Sequence, residues 1–433
     1  MRKSVPSFSL NFLTPRAALV AAAIFHLVVT LSVFSLGRFG LYSQQIDSDG
    51  IGVFARDGYR FRHEAELLAD TLVQDGVVAW LAHHSEIHIK FYSLSFVLLG
   101  RLLGSSILVA EPINLFCYLA ILATTFKLAR RISGQREAWL ASAIVALWPT
   151  LLLHTTQFLR DPLVIASILI LVLVLTDLIT RVYTWSRNLI AGMTGAAAVL
   201  VLWMSRPDMW LVIRAMVFFA LVLIAIRMWR ERKLLVGNVA VVALLFASMA
   251  FMPQMTTAQP RQPTEISGDV SPTDERIPLW ARLEAYRRRF VVEGIGHSGS
   301  LIDADVRFKS RADAIKYVPR AVEIGSFAPF PATWFNSGYS VGLMGRLLAG
   351  IETSLTYIIE LLACIFVWRS WRRLDVWLLV LTVMTGITAL GLVVVNVGTL
   401  YRMRYPFWVL LTILGSGGFL QVLSRRPKAD GTQ

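Results

Sequence analysis

The stretch PLVIASILILVLVLTDLIT, residues 162–180, decides the fold class. As an α-helix it covers about 28 Å, close to the hydrocarbon thickness of a bilayer. The whole 433-residue chain is similarly apolar, because 56% of its residues are hydrophobic and only 16% are charged. A water-soluble fold of this size could not bury that much apolar surface. The composition predicts an all-α polytopic membrane protein.

Ten apolar runs are long enough to cross a bilayer. They cover residues 16–37, 107–129, 137–153, 162–180, 188–205, 210–229, 234–252, 346–368, 374–395 and 405–424. A further run, Phe91 to Leu103, would cover only about 18 Å as a helix, and we predict that it lies in the interface. The first run exceeds the apolar core of about 7–15 residues in a secretory signal, so we predict a retained helix.

Basic residues form short clusters between these runs. With ten spans the clusters alternate onto one side, which the preference of Lys and Arg for short cytoplasmic loops makes the cytoplasm. Both chain ends are then cytoplasmic. The formal charge of +14 is therefore interpreted as a sign of membrane orientation, not of nucleic-acid binding. The clusters are Arg2 and Lys3; Lys127, Arg130, Arg131 and Arg136; Arg181 and Arg187; Arg227, Arg230, Arg232 and Lys233; Arg369, Arg372 and Arg373; Arg425, Arg426 and Lys428.

Two long segments fall on the opposite side. Residues 38–106 form an outer loop within a first membrane module, 1–252. Residues 253–345 form a large late loop, and residues 346–433 hold the last helices. The late loop opens with a Pro-, Thr- and Gln-rich stretch, 253–278, of flexible composition. Two short amphipathic helices are predicted after it, over Leu279–Phe290 and Arg311–Ile324.

The remaining charged residues gather on this same side. A bare Arg or Asp at the membrane centre costs about 2.5–3.5 kcal/mol, so we expect these residues to line a hydrated cleft. Arginines can hold a phosphate by forked hydrogen bonds, and a carboxylate can take a proton from a hydroxyl. The residues are Asp47, Asp49, Asp57, Glu64 and Glu66 after the first run; Arg160 with Asp161; Arg206 with Asp208; and Arg402 with Arg404.

Three motifs occur in these segments: Asp57 with Phe61 and Ala65, the segment LWPTLLLHTTQFLRDPLV, and the segment YRMRYP. Together they resemble the GT-C superfamily of membrane glycosyltransferases, in particular its protein mannosyltransferase and lipid A aminoarabinose transferase branch. Asp57, Phe61 and Ala65 match the spacing D-x3-[YF]-x3-A. The segment LWPTLLLHTTQFLRDPLV, ending at Val164, resembles the family's Pro-containing helix with a polar turn and a second acid. The segment YRMRYP, beginning at Tyr401, resembles an arginine-rich turn. The similarity covers about residues 10–210 and, loosely, 346–424.

The resemblance implies transfer of a sugar from a polyprenyl-phosphate donor to a hydroxyl of a lipid, glycan or protein, with inversion. It also implies a bacterial inner-membrane protein with its site facing the periplasm or the exterior. Asp57 would be the base, although Asp49 or Asp47 could take that role because Asp57 lies further along than usual. Asp161 would be the second acid. The predicted substrate contacts are Arg160, Arg206, Arg402, Arg404, Glu64 and His84.

Two other functions have sequence signals of their own. A polysaccharide polymerase or ligase would keep key arginines in the late loop, here Arg287–Arg289. A non-catalytic transporter of lipid-linked sugars would place ionisable residues inside the spans; the few present are Asp177, Arg214, Glu352 and Glu360.

Several local patterns have simpler interpretations. His83, His84, His88 and Glu86 are metal-ligand types, but we interpret them as a hydrated interfacial cluster and leave a divalent metal open. A zinc site built on cysteine is excluded, since the chain has two cysteines. The pattern Gly294-x-Gly296-x-x-Gly299 is interpreted as a chance match to a dinucleotide fingerprint. Arg160 and Asp161 would also suit a helix start, with Pro162 in its first turn.

Overall fold

The computed structural model describes residues 14–252, 277–294, 300–335 and 342–424. Most of the stretch 253–278, most of the glycine pattern 294–299, and the terminal clusters at residues 2–3 and 425–428 lie outside these ranges. The described residues form seventeen α-helices. These are α1 Pro15–Arg38, α2 Asp57–Gln74, α3 Gly76–Ala82, α4 Ile87–Leu103, α5 Glu111–Ile132, α6 Gln135–Ala146, α7 Pro149–Thr155, α8 Asp161–Thr180, α9 Trp185–Ser205, α10 Trp210–Glu231, α11 Val236–Phe251, α12 Leu279–Gly294, α13 Arg311–Phe327, α14 Gly342–Arg369, α15 Leu374–Val393, α16 Val397–Met403 and α17 Tyr405–Leu423.

Eight helices in the described ranges are long and apolar enough to cross a membrane: α1, α5, α8, α9, α10, α14, α15 and α17. A ninth span is formed if α6 and α7 are counted together, and α11 is a shorter apolar helix of 16 residues. The ten predicted runs are thus all helical, and the predicted fold class is confirmed. The predicted interfacial helix begins earlier than expected, because α4 starts at Ile87.

One predicted span is broken. We expected a single helix over residues 137–153, but α6 and α7 meet at an angle of 65°. The break falls at Trp148 and Pro149. Proline has no N–H and crowds the preceding turn, and Trp148 accordingly has extended backbone angles (φ −71°, ψ 111°). The chain therefore turns sharply before the segment that carries Arg160 and Asp161.

The bundle is organised around α8 and α17, most of whose residues are buried. Burial on most sides agrees with their uniformly apolar sequences. Glycines allow the closest approaches between helices. A Cβ at Gly418 of α17 would lie 2.0 Å from the carbonyl oxygen of Leu362 in α14, and a Cβ at Gly391 of α15 would lie 1.9 Å from that of Ala321 in α13. The second contact holds the late loop against the bundle.

Basic side chains from several helices meet at one end of the bundle, which we call the basic end. Arg131 forms an ion pair with Asp177. Arg373 donates to the carbonyl of Ile132 at 2.6 Å, and Arg227 donates to that of Ile179 at 2.8 Å. The opposite ends of the same helices carry the acids and arginines that the sequence singled out.

Candidate active site

Asp57 begins α2, where the partial positive charge of a helix start favours a carboxylate. Further along α2, Phe61 and Ala65 point into the protein with 1% and 0% of their surface exposed. They pack with Ile89 and Tyr92 of α4. The apolar members of the motif therefore anchor α2, and its acid stays at the open end with half of its side chain exposed (50%).

A buried polar network holds the segment before Asp57. Gln157 accepts from the N–H of Gly52 at 2.9 Å and donates to the carbonyl of Gly50 at 3.2 Å. Asn114 in turn donates to the carbonyl of Gln157 at 2.9 Å and accepts from the hydroxyl of Tyr92 at 2.8 Å. Buried polar groups that are fully hydrogen-bonded restrict a site to one arrangement. The turn between α7 and α8 thus positions the start of α2.

Four residues that are far apart in the chain form a continuous row. Arg402 Nη2 donates to Asp57 Oδ2 at 2.7 Å across 345 residues of sequence. The other amine, Nη1, lies 3.8 Å from Asp161 Oδ2. Arg206 Nη2 then donates to Asp161 Oδ1 at 2.6 Å. We call Asp57, Arg402, Asp161 and Arg206 the acid–arginine cluster.

Each member of the cluster stands at a helix boundary. Asp161 begins α8 and is followed by Pro162, a residue favoured in a first turn. Arg206 precedes a 3₁₀ turn that leads into α10. Arg402 lies in α16, a short helix at a position where the motif YRMRYP predicts a turn. Asn396 caps this helix by accepting from the N–H groups of Gly398 and Thr399. Helix ends leave polar groups available, so charged side chains can meet there.

The interior of the cluster is largely shielded. The side chains of Asp161, Arg206 and Arg402 are 6%, 5% and 13% exposed, whereas that of Asp57 is 50% exposed. Arg402 Nη1 is buried and has no hydrogen-bond acceptor within the part of the chain that the structure describes. The cluster is thus a chain of buried charges that opens to solvent at Asp57, with one guanidinium amine still able to donate.

Electrostatics set the charge states at the open end. Partial burial would raise the pKa of Asp57, but the charge and hydrogen bond of Arg402 lower it below the ordinary 3.8. Burial would likewise lower the pKa of Arg402, but the charges of Asp161 and Asp57 raise it. Asp57 is therefore a carboxylate, and Arg402 a guanidinium, at neutral pH.

A second group of charges lies beside the cluster and includes Glu86, which we expected in a hydrated interfacial cluster with His83, His84 and His88. Glu86 accepts from Arg160 Nη1 at 2.9 Å, and its other oxygen lies 3.8 Å from Arg60 Nη2. Arg60 also bonds Glu64 one turn along α2, at 2.9 Å. No local pattern in the sequence indicates the pairing with Arg160, because the partners are 74 residues apart.

His88 lies beneath these charges and is 1% exposed, with its ring edge-on to that of Phe61. Burial, and then the charges of Arg160 and Arg60, hold the pKa of His88 well below 6.5, so the imidazole is neutral. Within the described ranges, no three His, Cys, Asp or Glu side chains are grouped so that they could hold a metal ion.

Other predicted site residues have partners outside the cluster. Asp47 accepts from the N–H groups of Asp49 and Ile51 at 3.0 and 2.7 Å, an arrangement typical of an Asx turn. Asp49 pairs with Arg62 at 2.7 Å. His84 is exposed on the segment between α3 and α4.

Arg404 also bonds away from the cluster, although it lies only two residues from Arg402. Its Nη1 donates to the carbonyls of Gly325, Ser326 and Ala328 at 3.3, 2.7 and 2.9 Å. These carbonyls lie at the end of α13, where carbonyl groups have no N–H donor within the helix. Arg404 thus caps α13 and ties the late loop to the start of α17.

The fold and this site together define a polytopic α-helical membrane protein with a charged cluster at one end of its bundle. No family model matches the sequence, and no curated protein does. The chain is similar to a solved structure, the crystal structure of ArnT from Cupriavidus metallidurans bound to undecaprenyl phosphate, with a TM-score of 0.48 and 14% sequence identity. The match covers 95% of this chain and 61% of ArnT, so the chain spans about three fifths of that protein.

Proposed function

We propose that this chain is an inverting membrane glycosyltransferase that moves a sugar from a polyprenyl-phosphate donor to an acceptor hydroxyl on the non-cytoplasmic side. The observation that carries the proposal is the row of Asp57, Arg402, Asp161 and Arg206, in which an ionised, half-exposed carboxylate adjoins buried guanidinium groups.

The arginines would hold the phosphate of the donor. Arg402 Nη1 is a buried donor without a hydrogen-bond acceptor among the described residues, and a phosphate oxygen is a strong acceptor for it. Departure of the lipid phosphate leaves additional negative charge on its oxygens. A guanidinium already oriented by Asp161 and Asp57 stabilises that charge without having to reorganise.

Asp57 would act as the base. Its carboxylate takes the proton of the acceptor hydroxyl, the hydroxyl oxygen attacks the anomeric carbon, and the bond from that carbon to the phosphate oxygen breaks with its electron pair on the phosphate. A donor phosphate that binds Arg402 competes with Asp57 for the positive charge of the guanidinium, and it thereby weakens the interaction between Arg402 and Asp57. Donor binding would thereby raise the basicity of Asp57.

Other side chains have supporting roles in this scheme. Asp161 orients Arg206 and Arg402, and Arg160, held by Glu86, extends the positive charge toward the acceptor. Glu64 and His84 stay proposals for acceptor contact. Asp47 and Asp49 remain alternatives for the base, although their hydrogen bonds favour a role in shaping the loop before α2.

The two rival functions are less well supported by the contacts. Arg287 of the late loop, expected to be active in a polymerase, is 2% exposed and donates to the carbonyls of Asp303 and Leu392 at 2.5 and 3.0 Å, which favours a packing role. For a transporter, Asp177 is the ionisable residue in the most apolar stretch. It is paired with Arg131 at the basic end and not placed in mid-span.

The test is transfer of radiolabelled sugars from a panel of polyprenyl-phosphate donors by the purified full-length protein in detergent. We expect Asp57→Asn to lower the rate at least about 10²-fold, as loss of a general base does. Asp70→Asn, the same change at an exposed position on the same helix, is the matched control. Full activity of Asp57→Asn would overturn the assignment of Asp57, and lack of transfer from every donor by the wild type would count against the proposed function.

A further inference from the structure

Glu352 of α14 is a buried carboxylate that joins three helices. It is 2% exposed, and its Oε1 accepts from the backbone N–H of Thr150 at 2.9 Å. Its Oε2 accepts from the hydroxyls of Thr150 and Tyr401. Thr150 lies in the first turn of α7, whose N–H groups have no acceptor within the helix. One side chain thus links α14 to the start of α7 and to α16.

A further hydrogen bond closes this arrangement. The hydroxyl of Tyr405, at the start of α17, donates to Thr150 Oγ1 at 2.8 Å. Burying a carboxylate is costly unless it is well hydrogen-bonded, and here three donors satisfy it. Removal of the carboxylate would leave the Tyr401 hydroxyl without its buried acceptor, which is itself unfavourable.

The position of Tyr401 connects this network to the acid–arginine cluster. Tyr401 directly precedes Arg402, whose guanidinium bonds Asp57 and approaches Asp161. The helix α16 carries both residues and is only seven residues long. Its position therefore depends on its contacts with neighbouring helices. Through its hydroxyl, Tyr401 connects α16 to Glu352 of α14. This hydrogen bond is made one residue before Arg402, a member of the acid–arginine cluster.

We propose that Glu352 is a positioning residue: it holds α16 against α14 and α7 so that the guanidinium of Arg402 is presented to the donor phosphate. This inference rests on the proposed function. A displacement of about 1 Å at a reacting group can lower a rate about 10²-fold, so a residue that never touches substrate still governs the reaction. Loss of Glu352 acts through Arg402.

The experiment measures binding of undecaprenyl phosphate to the full-length protein in detergent, together with its melting temperature. The variants are Glu352→Gln, Tyr401→Phe, Arg402→Lys and the double variant Glu352→Gln/Arg402→Lys. Tyr357→Phe is the control, because this α14 tyrosine also donates from its hydroxyl, at 2.7 Å to the carbonyl of Phe327, which is in α13 and not in α16.

We expect Glu352→Gln and Tyr401→Phe each to weaken binding roughly 10-fold. The double variant should bind about as well as Arg402→Lys alone, because residues that act through one another are not additive. Tyr357→Phe should bind as the wild type does. A purely structural Glu352 would instead lower the melting temperature and leave binding unchanged, or its effect would multiply with that of Arg402→Lys; either result overturns the inference. Unchanged binding in Arg402→Lys would count against the proposed function itself.

Discussion

Replacing Arg402 by glutamine should move the acid limb of the pH–activity profile upward. Asp57 must be ionised to accept a proton, and the charge and hydrogen bond of Arg402 lower its pKa below 3.8 against the effect of partial burial. In the wild type the acid limb therefore lies below that value. Without the guanidinium, the effect of partial burial on Asp57 is no longer offset to the same degree, so the pKa of Asp57 rises. As the pH is lowered, the variant should therefore lose activity at a higher pH than the wild type does.

The size of the shift follows from the geometry. Two unit charges about 4 Å apart interact by about 1 kcal/mol in water and about 4 kcal/mol at a protein surface. Asp57 is half exposed, so solvent screening favours the lower part of this range. We take about 1–2 kcal/mol for the lost interaction, so the acid limb should move measurably toward higher pH.

The assay is kcat/KM for sugar transfer as a function of pH, with each variant normalised to its own maximum. Arg62→Gln is a suitable control, since Arg62 and Asp49 form a pair of the same length, 2.7 Å, outside the acid–arginine cluster. Its profile should match that of the wild type. An acid limb that stays in place in Arg402→Gln would refute the assignment of Asp57 as the ionised base held by Arg402.

Three further predictions test the site and its setting. Asp161→Asn should lower the transfer rate about 10²-fold because Arg206 and Arg402 lose their orientation; Asp208→Asn, whose carboxylate is 3.7 Å from Arg206, should have a much smaller effect, and equal rates would contradict this. Arg404→Ala should lower the free energy of unfolding by about 2–4 kcal/mol, since three carbonyls lose a charged donor, measured by chemical denaturation; an unchanged midpoint would contradict the capping of α13. In a protein whose two native cysteines are replaced by alanine, an impermeant maleimide applied to intact cells should label Ser48→Cys, an exposed position before α2, and not Thr184→Cys at the basic end, whereas the reverse pattern would invert the orientation.

Hydropathy was sufficient to predict most of the fold. Each apolar run must form a helix in lipid because its backbone groups have no other partners there. The break at Trp148 was missed because the residues on both sides are apolar, and a single proline does not show whether a helix bends or ends. The helix α16 was missed for a different reason: at seven residues it is too short to give a hydrophobic period.

The sequence predicts which residues belong to the candidate site better than it predicts which of them form pairs. Charges that interrupt a membrane sequence can be seen directly, and this identified Asp57, Asp161, Arg206 and Arg402. Which acid meets which arginine depends on how helices pack, and the sequence carries no local sign of it. Arg404 has the same local setting as Arg402, yet one caps α13 and the other bonds Asp57. The contacts of Glu352 depend in the same way on the approach of α7 and α16 to α14.

The capping of α13 by Arg404 has a mechanical consequence. The last turn of α13 is also held by Tyr357, whose hydroxyl bonds the carbonyl of Phe327, so its terminal carbonyls are attached to α14 and to the start of α17. A displacement of this turn that preserves the bonds must carry Arg404 with it. Arg402 is two residues away on the same backbone. A displacement of the late loop would therefore also shift Arg402 and alter its hydrogen bond with Asp57.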